Sequence, residues 1–195
     1  MDSAFMNSFS AKLTEKGVGV VRFEFPYMEQ RRHGGSKRPP DKQDILLATW
    51  KKLLLQLQSD PLYSDIDSYF LGGKSMGGRM ATLVLNELLE MNAFLHSKIK
   101  GVVCLGYPFH PSGKPEKLRT AHLPELKKPL LVIQGTRDAL GNQDEVMTYP
   151  LGDNTTIEWL EDGDHDFKPR KKSGFSHDQH IDRAVTATAN FVTGL

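Results

Sequence analysis

An α/β fold, a three-layer α/β/α sandwich with a mostly parallel sheet between two layers of helices, follows from three observations. Helical apolar stripes alternate along the chain with short strand-like runs, the pattern that parallel sheets produce. The middle runs, 99–105 and 129–135, are apolar at almost every position, as strands buried on both faces must be. Ser75, Asp138 and His165 each fall just past the end of one such run, where open α/β sheets gather their ligands.

The elements justify themselves in order. Phe5, Met6, Phe9 and Leu13 recur at helical spacing after Asp2 or Ser3 as N-cap, and Gly17 stops that helix. Residues 19–25 read as a strand closed by Pro26, and 27–42 as a long basic loop carrying Arg31, Arg32, Lys37 and Arg38. Asp41 with Asp44 resembles a capping box for a helix that carries Leu46, Trp50, Leu53, Leu54 and Leu57 and ends near Asp60-Pro61. A strand ending at Leu71 then turns into a helix from Met76 to about Met91, with Met80, Leu83, Val84 and Leu88 facing a core. After the two buried strands come a short helix near 144–148 and a more polar strand, 155–160, suited to a sheet edge. Ser176 and Gln179 form a capping box for a last helix with its stripe at Ile181, Ala184, Val185, Thr188, Phe191 and Val192. No repeat or linker divides the sequence, so one domain over residues 1–195 is expected.

Composition is that of an ordinary globular chain, and a formal charge of +1 gives no global attraction to nucleic acid or to a membrane surface. No apolar run approaches the length of a membrane span, and the first residues lack the pattern of a signal peptide. Cys104 is the single cysteine, so no intramolecular disulfide can form, and a reducing cytoplasmic setting is expected. Cys104 sits inside an apolar run, which makes it a core residue rather than a nucleophile. The basic residues at 31–38 and the run Lys168-Pro169-Arg170-Lys171-Lys172 both follow strand ends, and they raise an anionic substrate as an expectation.

The stretch Gly73-Lys74-Ser75-Met76-Gly77 carries the chemistry. Gly-x-Ser-x-Gly at a strand-to-helix corner presents a serine hydroxyl above the sheet, and Gly73 and Gly77 are expected to let backbones pass closely. A phosphate-binding loop is excluded, because its first glycine would fall at Ser68. A serine hydroxyl attacks only when a base takes its proton, and histidine suits that work near neutral pH. Seven histidines compete. His33, His96, His177 and His180 read as surface residues and His122 lies in a polar connection, which leaves His165, with His110 as its rival. Asp138, directly after a buried strand, is the candidate acid, with a turn-forming aspartate in Thr-Arg-Asp-Ala as the alternative role; Asp164 and Asp166 read as turn formers.

Gly73-Lys74-Ser75-Met76-Gly77-Gly78, Gln134-Gly135-Thr136-Arg137-Asp138 and Gly163-Asp164-His165-Asp166-Phe167 resemble small bacterial α/β-hydrolases related to dienelactone hydrolases. Residues 21–28 and 106–111 resemble the same group. The resemblance implies a serine hydrolase acting on a small ester-type substrate, with Ser75 as nucleophile, Asp138 as acid, His165 as base and no metal or organic cofactor. It implies that the Met76 N–H forms part of the oxyanion hole. Tyr27, Met28, Tyr107, Phe109 and His110 are candidates for the substrate pocket. Serine stands where dienelactone hydrolases have cysteine, so their substrate is not implied.

Those relatives begin with further strands, the last of which leads through a loop supplying a second oxyanion donor into the helix matching 3–16. The chain is therefore expected to be an N-terminally shortened version of the fold. Losing one oxyanion donor typically costs about 10²–10³ in rate. A sheet rearranged to bring 19–25 against the strand before Ser75, or an exposed slot prone to association, is expected. A non-catalytic module that keeps the fold and binds a partner is the alternative function.

Overall fold

A computed structural model describes residues 2–35 and 39–194, so the expected basic positions Lys37 and Arg38 lie outside the described residues. The chain divides into two compact units, 1–66 and 67–195.

Among its described residues the first unit holds three α-helices and a 3-10 turn at Pro61–Tyr63. In α1 (Ala4–Glu15) the Ser3 hydroxyl caps the Met6 N–H, Phe9 and Leu13 are buried, and Gly17 takes φ 82° just past the end. The expected strand over 19–25 is absent: those residues carry no ladder hydrogen bonds. Their side chains are used instead. Phe23 packs edge-on against Trp50 at 4.6 Å and Arg22 donates to Asn7 at 2.7 Å, so the segment is fixed by aromatic packing within its own unit. The expected loop after Pro26 begins as α2 (Pro26–Arg32), for which proline at the first position is well suited. Asp41 does not cap the following helix. Its carboxylate accepts the Tyr27 N–H, an orphan donor of α2, at 3.0 Å, and α3 (Gln43–Ser59) starts from Lys42 with no side-chain cap. Leu46, Leu47, Trp50 and Leu54 form its buried stripe.

The second unit is built on four parallel strands in sequential order: β1 (Tyr69–Lys74), β2 (Ile99–Leu105), β3 (Leu130–Gly135) and β4 (Thr155–Leu160). The sheet therefore ends at β1, and the expected rearrangement with 19–25 beside it does not occur. β3 is buried at every residue and β4 only in part, as a central and an edge strand should be. Between the strands lie α4 (Met76–Met91), which ends where expected, α5 (Ala93–Lys98), for which the sequence reading assigned no helix, and α6 (Gln143–Val146). The last helix is α7 (His177–Thr193), whose Ser176–Gln179 capping box forms as expected.

Two glycines show how the layers stack. A Cβ on Gly78 of α4 would sit 3.0 Å from Cys104 Sγ, and one on Gly101 would sit 3.0 Å from Phe191 of α7. Residues 101 and 104 point to opposite faces of β2, so α4 and α7 cover opposite sides of the sheet. The fold is the three-layer α/β/α sandwich expected.

Close approach at the strand-to-helix corner is made by Gly73 and Gly78, not by Gly77. A Cβ on Gly73 would lie 2.5 Å from the Gly77 carbonyl carbon, whereas one on Gly77 meets nothing within 4 Å. Gly73→Ala should therefore lose about 1–3 kcal/mol in urea unfolding, the usual cost of overpacking against backbone. Gly77→Ala should be neutral or stabilising by up to about 1 kcal/mol; equal losses in both variants would contradict this account.

Candidate active site

Three strand ends are set in register before any side chain is considered. Ser75 N donates to Leu105 O at 2.9 Å, Gly106 N to Ile133 O at 2.8 Å and Thr136 N to Leu160 O at 3.0 Å, extending the parallel ladders one step past each strand. Ser75 takes φ 53° and ψ −119°, a conformation that strains any residue with a side chain, and thereby turns β1 into α4.

The register brings together the three residues expected. Ser75 Oγ lies 2.9 Å from His165 Nε2, and His165 Nδ1 lies 2.7 Å from Asp138 Oδ2. Because Nδ1 faces a carboxylate it carries the ring proton, which leaves the Nε2 lone pair to accept from the serine hydroxyl. The imidazole is partly exposed, while Asp138 has no exposure at all. This geometry can remove a proton from a hydroxyl as it attacks and stabilise the resulting imidazolium.

Met76 is the first residue of α4. The first intrahelical bond runs from Arg79 N to Ser75 O, so the Met76 N–H has no acceptor within the helix and sits at its positive end.

The buried carboxylate of Asp138 is held by groups that sequence reasoning missed. Gln134, itself fully buried, donates from Nε2 to Asp138 Oδ2 at 2.9 Å and accepts the Tyr107 N–H at 2.8 Å. Leu140 N donates to the other oxygen at 2.8 Å. The available signal was a single amide among the apolar residues of β3. Gly106, with φ +67°, was missed too: a Cβ there would be strained by the backbone angle and would crowd His165, standing 3.1 Å from its carbonyl oxygen and 3.3 Å from both Cε1 and Nδ1.

The loop carrying His165 is pinned along its length. Asp164 Oδ1 accepts the N–H groups of Asp166 and Lys168, the turn-forming role expected of it. Three successive carbonyls meet side-chain donors: His165 O from Lys74 Nζ at 2.6 Å, Asp166 O from His177 Nε2 at 2.9 Å, and Phe167 O from His180 Nδ1 at 2.8 Å. Burial lowers the Lys74 ammonium from its usual range, opposed by the nearby charge of Asp166. His180 is thus not a surface residue; it is 2% exposed and braces this loop.

Asp162, at φ 56°, ties the loops bearing the acid and the base. Its N–H donates to Thr136 Oγ1 at 2.8 Å, its carbonyl accepts from Arg137 Nε at 3.0 Å, and its carboxylate pairs with Arg170.

The other candidates are buried residues or belong to the first unit. Tyr107 and Phe109 are fully buried, with ring centres 4.9 Å apart and planes tilted by 57°, so they belong to the core. His110, the rival base, is 3% exposed, with Nδ1 donating to Pro111 O at 2.9 Å and Nε2 lying 3.4 Å from Glu145. Tyr27 and Met28 lie on α2 in the first unit. His122 is half-buried, and because Thr82 Oγ1 donates to Arg79 O, His122 Nε2–H donates to Thr82. Burial first, then the Arg79 charge, lowers the His122 pKa to about 4, which holds the ring neutral near pH 7. Cys104 is buried and its thiol is pushed up by desolvation, as befits a core residue.

A serine at a strained strand-to-helix corner of a parallel α/β sheet, with imidazole and carboxylate at later strand ends, defines the α/β-hydrolase class. The chain belongs to that family: the family model described as "Alpha/beta hydrolase domain" matches residues 1–193. Among solved structures it is similar to a protein of unknown function from Agrobacterium tumefaciens, with TM-score 0.68, 18% identity, and coverage of 100% of this chain and 79% of the other. It is also similar to an alpha-beta serine hydrolase homologue from Coxiella burnetii, with TM-score 0.63, 17% identity and coverage of 100% and 76%. A monoacylglycerol lipase from Paleococcus ferrophilus gives TM-score 0.62 and 15% identity over 94% and 90% of the two chains. The protein is a hydrolase of the α/β superfamily.

The Arg170 hydrogen bonds, followed by the other Arg170 and Arg137 contacts, lower Asp162 from 3.8 to about 2 against the opposing effect of burial. A depressed carboxylate contributes stability that is present above its unfolded pKa and lost as pH falls through the folded value. The stability gap between wild type and Asp162→Asn should therefore be constant above about pH 4 and close as pH falls toward 2. Unfolding midpoints measured across that range would detect a gap that fails to narrow.

Proposed function

We propose that the protein is a carboxylesterase-like serine hydrolase that cleaves an ester or similar acyl bond through an acyl-enzyme. The observation that carries this reading is the continuous chain from Ser75 Oγ to His165 Nε2 at 2.9 Å and from His165 Nδ1 to Asp138 at 2.7 Å. Ser75 Oγ attacks the carbonyl carbon while its proton passes to His165 Nε2. The oxygen that becomes anionic is received by the Met76 N–H at the start of α4. Collapse breaks the bond to the alcohol, which leaves with the proton from the imidazolium. Water then attacks the acyl carbon as it gives a proton to Nε2, and collapse breaks the acyl bond to Ser75 Oγ, which takes that proton from the imidazolium as the acid departs. Asp138 keeps the ring in the tautomer that both halves require.

A small anionic ester and a reducing cytoplasmic setting are finer parts of the same proposal. Arg32 is committed to Glu24 and Asp2, and Arg170 to Asp162, so within the basic run 168–172 the exposed pair Lys171 and Lys172 is the one to test. The sole cysteine, held as a buried free thiol, supports the setting.

A fluorophosphonate probe should label wild type and not Ser75→Ala, and absence of Ser75-dependent labelling would overturn the reading in favour of a non-catalytic module. On a p-nitrophenyl ester, His165→Ala and Asp138→Asn should each lower kcat by about 10³-fold or more with the fold intact. Replacing Lys171 and Lys172 together by Gln should lower kcat/KM several-fold for a carboxylate-bearing ester and leave a neutral one unchanged.

A further inference from the structure

The residue before the serine has a conspicuous side chain. Lys74 closes β1 and shares a peptide bond with Ser75, yet its side chain is directed at the loop carrying His165. Its ammonium donates to His165 O at 2.6 Å, stands 3.3 Å from Asp166 Oδ1 and lies 5.7 Å from the centre of the Phe167 ring. A carbonyl, a carboxylate and an aromatic face are all partners for a cation, and these come from three consecutive residues. The side chain is 18% exposed, so the contact is screened less than a surface ion pair would be.

The other two carbonyls of this tripeptide are held by His177 and His180 of α7, on a separate element from the nucleophile. Lys74 differs from them in a specific way. It joins the backbone of the base to the strand residue that precedes the nucleophile, so one side chain spans the two groups whose separation is 2.9 Å. A neutral apolar chain of the same length would fill the space but leave the His165 carbonyl without this donor.

We propose that Lys74 is a positioning residue that sets the register of His165 against Ser75 by strapping the base-bearing loop to the nucleophile strand. The inference rests on the catalytic reading of Ser75 and His165. Reactions of this kind are sensitive to ångström-scale misplacement, which can cost about 10²-fold in rate. Lys74 touches no reacting atom, so its loss should act on kcat and leave KM alone.

The test compares wild type, Lys74→Met, Lys74→Arg and Ser75→Ala by fluorophosphonate inactivation rate and by kcat and KM on a p-nitrophenyl ester. Lys74→Met should lower both the inactivation rate and kcat by about 10–100-fold, with KM within twofold. Lys74→Arg, which keeps the charge and the donors, should recover most of that loss. Ser75-dependent labelling in wild type with an unchanged rate in Lys74→Met would overturn the inference and leave the catalytic reading standing. Absence of Ser75-dependent labelling in wild type would overturn that reading, and the inference with it. Should Lys74→Met fail to fold, Lys74→Gln, whose polar end stops short of the carbonyl, reads the same rate with the same two outcomes.

Discussion

A carboxylate with no solvent exposure is costly to bury unless donors surround it, and much of the site follows from meeting that demand for Asp138. One donor is the backbone of Leu140, one is the amide of Gln134, and the third is the imidazole of His165. Two of these come from the acid's own strand and turn. The third comes from a loop 27 residues further on, so that loop must be carried to the same point and held there. Gly106 clears the space for the ring, Asp162 ties the two turns together, and the donors from Lys74 and α7 hold the loop at its carbonyls. The serine is a late arrival in this arrangement, accepted at the open end of an imidazole whose other end is already fixed.

The sequence was most readable where one local rule dominated. The helix over 76–91, the edge strand over 155–160 and the Ser176–Gln179 cap were all set by apolar period or capping chemistry, and all three stand. The Ser75, Asp138 and His165 assembly was legible for a related reason: in a parallel sheet, the chain position just after a strand is also a position in space. Residues 19–25 failed because alternation and β-branched content describe a segment that could pair, not whether a partner strand is beside it. There the Phe23–Trp50 contact set the path instead. Asp41 failed because a carboxylate near one helix start was nearer, in the fold, to another.

The residues that sequence reading passed over share a property. Gln134, Gly106, Gly78 and His180 each meet a group far along the chain, Tyr107, His165, Cys104 and Phe167 in turn, and no local rule names that partner. Glycine spacing suggested that Gly77 served close packing, whereas the backbone approach falls on Gly73 and Gly78. Tyr107, Phe109 and His110 were named as pocket residues because they follow a strand end. Their burial shows that a strand end also delivers side chains inward, where an aromatic pair and a histidine become part of the core.

The backbone at Ser75 carries one more consequence. Its φ of 53° belongs to a region that glycine enters freely and serine does not, so the corner stores about 1–3 kcal/mol of local strain. Stability and chemistry are therefore opposed at a single residue. A glycine there would relax the turn and make the protein harder to unfold, while removing the hydroxyl that the surrounding loops are arranged to meet.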